Sequence, residues 1–155
     1  MQINFINYFL ASIISYLGLL AGVILIKLAP EEQKPGKKYF IFFKMGLFFL
    51  IIALLLSYRV NIVFSLALLI FIIILMLHKK LHLEKSASVY FFFGIIFYLS
   101  SWNVDLFALQ SVLMFLYGIS NSSLIINPRK NNYREIFVQT LWFFAPIMLL
   151  YWLKT

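Results

Sequence analysis

Apolar residues run through this chain in long blocks broken by short charged gaps. Uncharged stretches cover Met1–Ile26, Met45–Tyr58, Val60–His78, Ser86–Val104, Leu106–Pro128 and Ile136–Leu153. A helix that crosses the hydrocarbon core of a bilayer needs about 20 mostly apolar residues. Five of the stretches meet that length, and the sixth, Met45–Tyr58, does so once its apolar run is counted from Tyr39. Only Lys44 interrupts it, about 8 Å along a helix from Tyr39, where a lysine stem can reach back to the headgroups. The pattern predicts six transmembrane helices, approximately 4–27, 39–58, 60–78, 87–103, 105–126 and 136–153. The fourth is the weakest, because Ser100, Ser101 and Asn103 follow a short apolar stretch. Loops this short leave no room for a soluble domain, so residues 1–155 read as a single all-α integral membrane bundle.

Composition agrees. The chain is 64% hydrophobic and 12% charged, whereas a soluble domain carries about 25% charged residues. A chain of 155 residues cannot hide that much apolar surface from water. The absence of cysteine excludes a disulfide framework and thiolate chemistry.

The net charge of +8 would suggest nucleic acid in a soluble protein. Here 11 of the 13 basic residues fall in or beside three alternate gaps: Lys27, Lys34, Lys37, Lys38 and Lys44; Lys79, Lys80 and Lys85; Arg129, Lys130 and Arg134. Six crossings place all three gaps on one side, and the positive-inside rule makes that side cytoplasmic. The expected topology is three sequential hairpins in the cytoplasmic membrane with both termini extracytoplasmic. The uncharged start, Met1–Gln2–Ile3–Asn4, lacks the basic region of a cleavable signal peptide. Lys34, Lys37, Lys38, Lys79, Lys80, Lys85, Arg129, Lys130 and Arg134 are then expected to meet anionic lipid headgroups, and no nucleic acid partner is expected.

Pro30 followed by Glu31 and Glu32 reads as a short helical turn at the interface. Pro35–Gly36 should end it with a turn before the chain re-enters the membrane at Tyr39. His78 and His82 are four apart, but no third histidine and no cysteine exist to complete a zinc site, so no metal or cofactor is expected.

The fifth predicted helix is the most informative. Gln110, Met114, Tyr117 and Asn121 share one face at helical spacing, with Ser111, Gly118 and Ser122 on its flank. Polar groups in hydrocarbon need partners, so this face should point into the bundle, either as a polar path or as interhelical packing. Gln139 and Thr140 are expected to partner Asn121–Ser123 at similar depth. Ala11, Ser15, Gly18 and Gly22 form a small-residue stripe on the first helix, suited to the fifth helix or to a second copy. Pro146 should kink the sixth.

No acidic residue falls mid-membrane, Asp105 lying at the outer boundary, and motifs for nucleophilic catalysis or nucleotide binding are absent. The leading expectation is a non-catalytic polytopic membrane protein, a subunit or scaffold of a larger membrane assembly, with a membrane-protein partner or in a homo-oligomer. A small transporter or channel with a polar path along the fifth helix is the alternative. A lipid-modifying enzyme using interfacial Glu31, Glu32 or Glu135 ranks third.

Overall fold

The computed structural model describes residues 4–58, 70, 87–125 and 133–152, and nearly all of them are helical. Helix α1 runs Phe5–Leu28. A 3-10 turn, Pro30–Glu32, leads into α2, Gln33–Ser57. Helix α3 is Ala87–Ser100 and α4 is Val104–Ile125. Helix α5, Tyr133–Thr140, joins α6, Phe144–Trp152, through a 3-10 turn at Leu141–Phe143. Among the described residues three segments, Phe5–Leu28, Pro30–Ser57 and Val104–Ile125, are long and apolar enough to cross a membrane. The predicted helix 60–78 lies, but for residue 70, outside the described residues, as do His78, Lys79, Lys80, His82, Lys85, Arg129 and Lys130.

Three boundaries differ from the sequence pattern. Helix α2 begins at Gln33, so Pro35 and Gly36 lie within its first turn instead of breaking the chain before Tyr39. The first four N–H groups of a helix have no intrahelical acceptor, so a proline there forfeits no bond. Helix α3 stops at Ser100, because Asn103 caps the next helix: its Oδ1 accepts the N–H groups of Asp105 at 3.0 Å and Leu106 at 3.2 Å. Its 14 residues extend about 21 Å, less than the hydrocarbon core of about 30 Å. The sixth predicted helix is two helices. Pro146 has no N–H to offer the Trp142 carbonyl and its ring crowds that turn, and the chain tightens into the 3-10 turn just before it.

Helix α4 is the hub. Helices α1 and α2 each lie along α4 and scarcely touch one another, while α3 packs mainly on α6 and the turn before it. The first two helices are therefore not a packed hairpin, although they are consecutive. On α1 the buried residues Tyr8, Ser12, Ser15, Leu19, Gly22 and Ile26 alternate at spacings of four and three, the seam of a close helix pair. Gly18 and Gly118 bring the α1 and α4 backbones together. A Cβ on Gly18 would lie 2.0 Å from the Phe115 carbonyl oxygen, and one on Gly22 would lie 1.8 Å from Ser122 Oγ. The small-residue stripe thus faces α4 within the molecule. At one end of the bundle Tyr8 stacks among Phe97, Phe107 and Tyr151, tying α1, α3, α4 and α6 together.

The contacts also give directions. Ser15 meets Ser111 and Gly22 meets Ser122, so α1 and α4 are parallel. Ile51 meets Gln110, and Lys44 meets Tyr117; Tyr90 meets Asn121, and Phe97 meets Phe107. Both α2 and α3 are therefore antiparallel to α4. Helix α2 finishes at the end of the bundle where α4 begins, and α3 starts at the opposite end.

Candidate functional site: a polar seam inside the helix bundle

The expected polar face of α4 points inward. Gln110, Met114, Tyr117 and Asn121 are all buried. Gln110 is fully enclosed, and its Nε2 donates to the Ile51 carbonyl of α2 at 2.7 Å. Eleven positions on, Asn121 Nδ2 donates to the Tyr90 hydroxyl of α3. Each amide therefore ties α4 to a different neighbour, a type of bond worth about 0.6–2 kcal/mol within a membrane. One end of each amide is left over. Gln110 Oε1 and Asn121 Oδ1 are buried and accept no hydrogen bond. Leaving such an acceptor bare costs about 1–3 kcal/mol, so the two oxygens are the least satisfied groups of the seam.

A buried cation approaches the same face of α4. Lys44 sits on the stripe Leu47, Phe48, Ile51 and Leu55 that α2 turns toward the bundle, and it is only 7% exposed. Its ammonium lies 5.8 Å from the centre of the Tyr117 ring, within reach of the ring's negative face. Snorkelling to the headgroups was the expectation from its place near the end of a span. Helical spacing overrides it: Lys44 is three, four and seven residues before three buried apolar positions, so its stem leaves α2 toward α4. Tyr117 is held in turn by Phe93, whose ring meets it edge-on at 4.5 Å.

The flanking hydroxyls satisfy themselves locally. Ser111, Ser120, Ser122 and Ser123 each donate to a carbonyl three or four residues back on α4. The Ser111 carbonyl also accepts the Ser15 hydroxyl of α1 at 3.1 Å. Gln33 at the start of α2 donates to the Ser123 carbonyl at 3.1 Å, closing the other end of the α2–α4 contact. Thr140 does not reach Asn121–Ser123. It meets the Tyr16 hydroxyl of α1 at 3.1 Å and donates to the Phe137 carbonyl, because the α5–α6 arm packs beside α1 and α3 and not on the Asn121 turn. Gln139 is half-buried on the same arm.

A cavity of about 10 Å³ opens beside the seam, lined by Ser15, Tyr16, Leu19, Tyr90, Phe93, Met114, Gly118 and Phe143. That is room for about one water molecule. Lys34, Lys37, Lys38 and Arg134 are exposed, as are Glu31 and Glu32 on the 3-10 turn.

The sequence reading missed the inward direction of Lys44 and the part played by Tyr90. Lys44 was legible from its register with Leu47, Phe48 and Ile51. Tyr90 carries a weaker signal, its spacing with Phe93 and Phe97, which places it on the buried side of α3 without revealing Asn121 as its partner. The fold and seam define a helical membrane bundle cross-tied by buried polar groups. No protein-family model, curated protein or solved structure matches the chain.

Proposed function

We propose that this chain is a non-catalytic, multi-pass protein of the cytoplasmic membrane that serves as a subunit or scaffold of a larger membrane assembly. The observation that carries the reading is how the polar face of α4 is used. Its amides bond to α2 and α3, its hydroxyls bond to their own helix, and its Ser111 carbonyl accepts a hydroxyl from α1, which is the arrangement of a framework. Helix α1 keeps Ile6, Leu10, Ile14, Leu17 and Ile24 exposed along its outer side, an apolar ridge that a partner helix or a second copy can cover. In mild detergent the protein should migrate in a complex well above its own mass of 18.2 kDa. Recovery of a lone stable monomer under several gentle conditions would count against the proposal.

The full topology belongs to the same reading: six crossings, three basic gaps in the cytoplasm and both termini outside. Supporting it, α2 finishes and α3 starts at opposite ends of the bundle, as one further crossing between them requires, and the sequence Val60–His78 is uncharged. Ile125 and Phe137 both pack against Val23 and Ile26, so α4 ends and α5 begins at the end of the bundle where α1 finishes. With no native cysteine, single-cysteine variants report sidedness directly. Asn4→Cys should react with an impermeant maleimide on intact cells, and Lys38→Cys and Arg134→Cys only after permeabilisation. Labelling of all three from one face overturns the topology.

A second reading is favoured by the bare oxygens of Gln110 and Asn121 and by the buried Lys44 ammonium against Tyr117 of the same face. Within a membrane such groups mark solute paths, and they would serve a small transporter or channel along α4. Gln110→Leu should then abolish flux in liposomes while leaving the yield unchanged.

A further inference from the structure

We propose that the first turns of α2 form a binding site for an anionic phospholipid. Lys34, Lys37 and Lys38 take the phosphate headgroup, and an acyl chain lies along Phe42 and over Gly46. The site rests on the reading that α2 crosses a bilayer. Helix α2 has 25 residues, about 37 Å at 1.5 Å per residue, against a hydrocarbon core of about 30 Å. About one and a half turns must therefore stand among the headgroups. With Ser57 at the far boundary, those turns carry Lys34, Lys37 and Lys38.

These lysines crowd one another, since positions three and four apart on a helix are neighbours and like charges there repel. Lys34 also occupies the first turn, the end of the helix dipole that disfavours cations. Glu31 and Glu32 lie just upstream, yet neither forms an ion pair with Lys34, Lys37 or Lys38. A positive group built this way is relieved by external anions.

The neighbouring turns suit a lipid better than a free ion. Lys34, Lys38 and Phe42 recur every four residues along one strip, so charge gives way to aromatic surface in the direction in which a phospholipid passes from headgroup to chain. Tyr39 is 79% and Phe42 82% exposed. At Gly46, four residues further, an added Cβ would meet nothing within 4 Å, which leaves a shallow gap between Phe42 and Phe49. Gln33, tied to Ser123, holds the lysine turn against the bundle.

The test uses the cysteine-free chain with Phe42→Cys carrying a fluorophore, in vesicles of phosphatidylcholine and phosphatidylglycerol. Quenching by brominated phosphatidylglycerol is compared with quenching by brominated phosphatidylcholine. Local preference for the anionic lipid should be roughly tenfold. It should fall to near one when Lys34, Lys37 and Lys38 are all changed to Gln, and return when all three are Arg. If the triple Gln variant does not accumulate, Lys37→Gln alone must lower the ratio by at least about twofold. Equal quenching by both lipids overturns the site while leaving the membrane reading intact; no quenching by either overturns the membrane reading. A preference that survives the Gln changes, or that inorganic phosphate abolishes at constant ionic strength, also overturns the site.

Discussion

Replacing Gly18 by Ala should destabilise the bundle by about 3 kcal/mol, although alanine is the better helix former by about 1 kcal/mol. The new methyl group would sit 2.0 Å from the carbonyl oxygen and 2.9 Å from the Cα of Phe115. These are backbone atoms, so no rotamer change can clear the space, and α1 must move away from α4. Moving it also strains the Ser15–Ser111 bond and the contacts of Gly22 with Ser122. Gly46→Ala is the matched control. Its Cβ meets open space, so that variant should be neutral or gain up to about 1 kcal/mol. Unfolding midpoints in mixed detergent micelles measure both. Equal behaviour of the two variants would show that α1 and α4 do not cross at Gly18 and Gly118.

The second large effect belongs to the Asn121–Tyr90 pair. Asn121→Leu should cost about 1–2 kcal/mol, because it removes an interhelical bond and leaves the buried Tyr90 hydroxyl without a partner. Tyr90→Phe strips the other side and leaves the whole Asn121 amide bare. The double variant should be more stable than the sum of the single losses predicts, by about 1 kcal/mol, since neither partner is then left alone. This outcome marks the pair as a tie between α3 and α4. A solute path predicts something else: Asn121→Leu would keep its stability and lose flux in liposomes. The two readings thus separate on one set of variants.

Much of the seam was legible in the sequence. Gln110, Tyr117 and Asn121 could be assigned to one inward face because hydrocarbon offers no partner to an amide and because helical spacing is rigid. Ser15, Gly18 and Gly22 could be read as a packing stripe for the same kind of reason, since only small side chains let two backbones approach. Neither argument could say which helix lay opposite. Thr140 is instructive here. Depth along the membrane matched it to Asn121, but depth is one coordinate of three, and the α5–α6 arm carries it to Tyr16 instead. Lys44 shows the reverse error. Its direction was readable from the positions of Leu47, Phe48 and Ile51, and its nearness to the span end drew the reading toward the headgroups.

The order of apolar blocks and basic gaps determined that this is a helical membrane protein, because solvent preference and helix length depend only on which residues follow one another. The same holds for the approximate limits of α1 and α4 and for the inward face of Gln110 and Asn121. Which helices touch was decided by the tertiary structure alone. Helix α4 became the hub because its Gly118 lets Gly18 and Gly22 of α1 fit against it, and consecutive α1 and α2 were thereby kept apart. The pairing of Lys44 with Tyr117 and of Asn121 with Tyr90 followed from that arrangement. Such contacts join residues far apart in the chain, and in a bilayer, where every apolar face is equally at home in lipid, only detailed fit chooses among them.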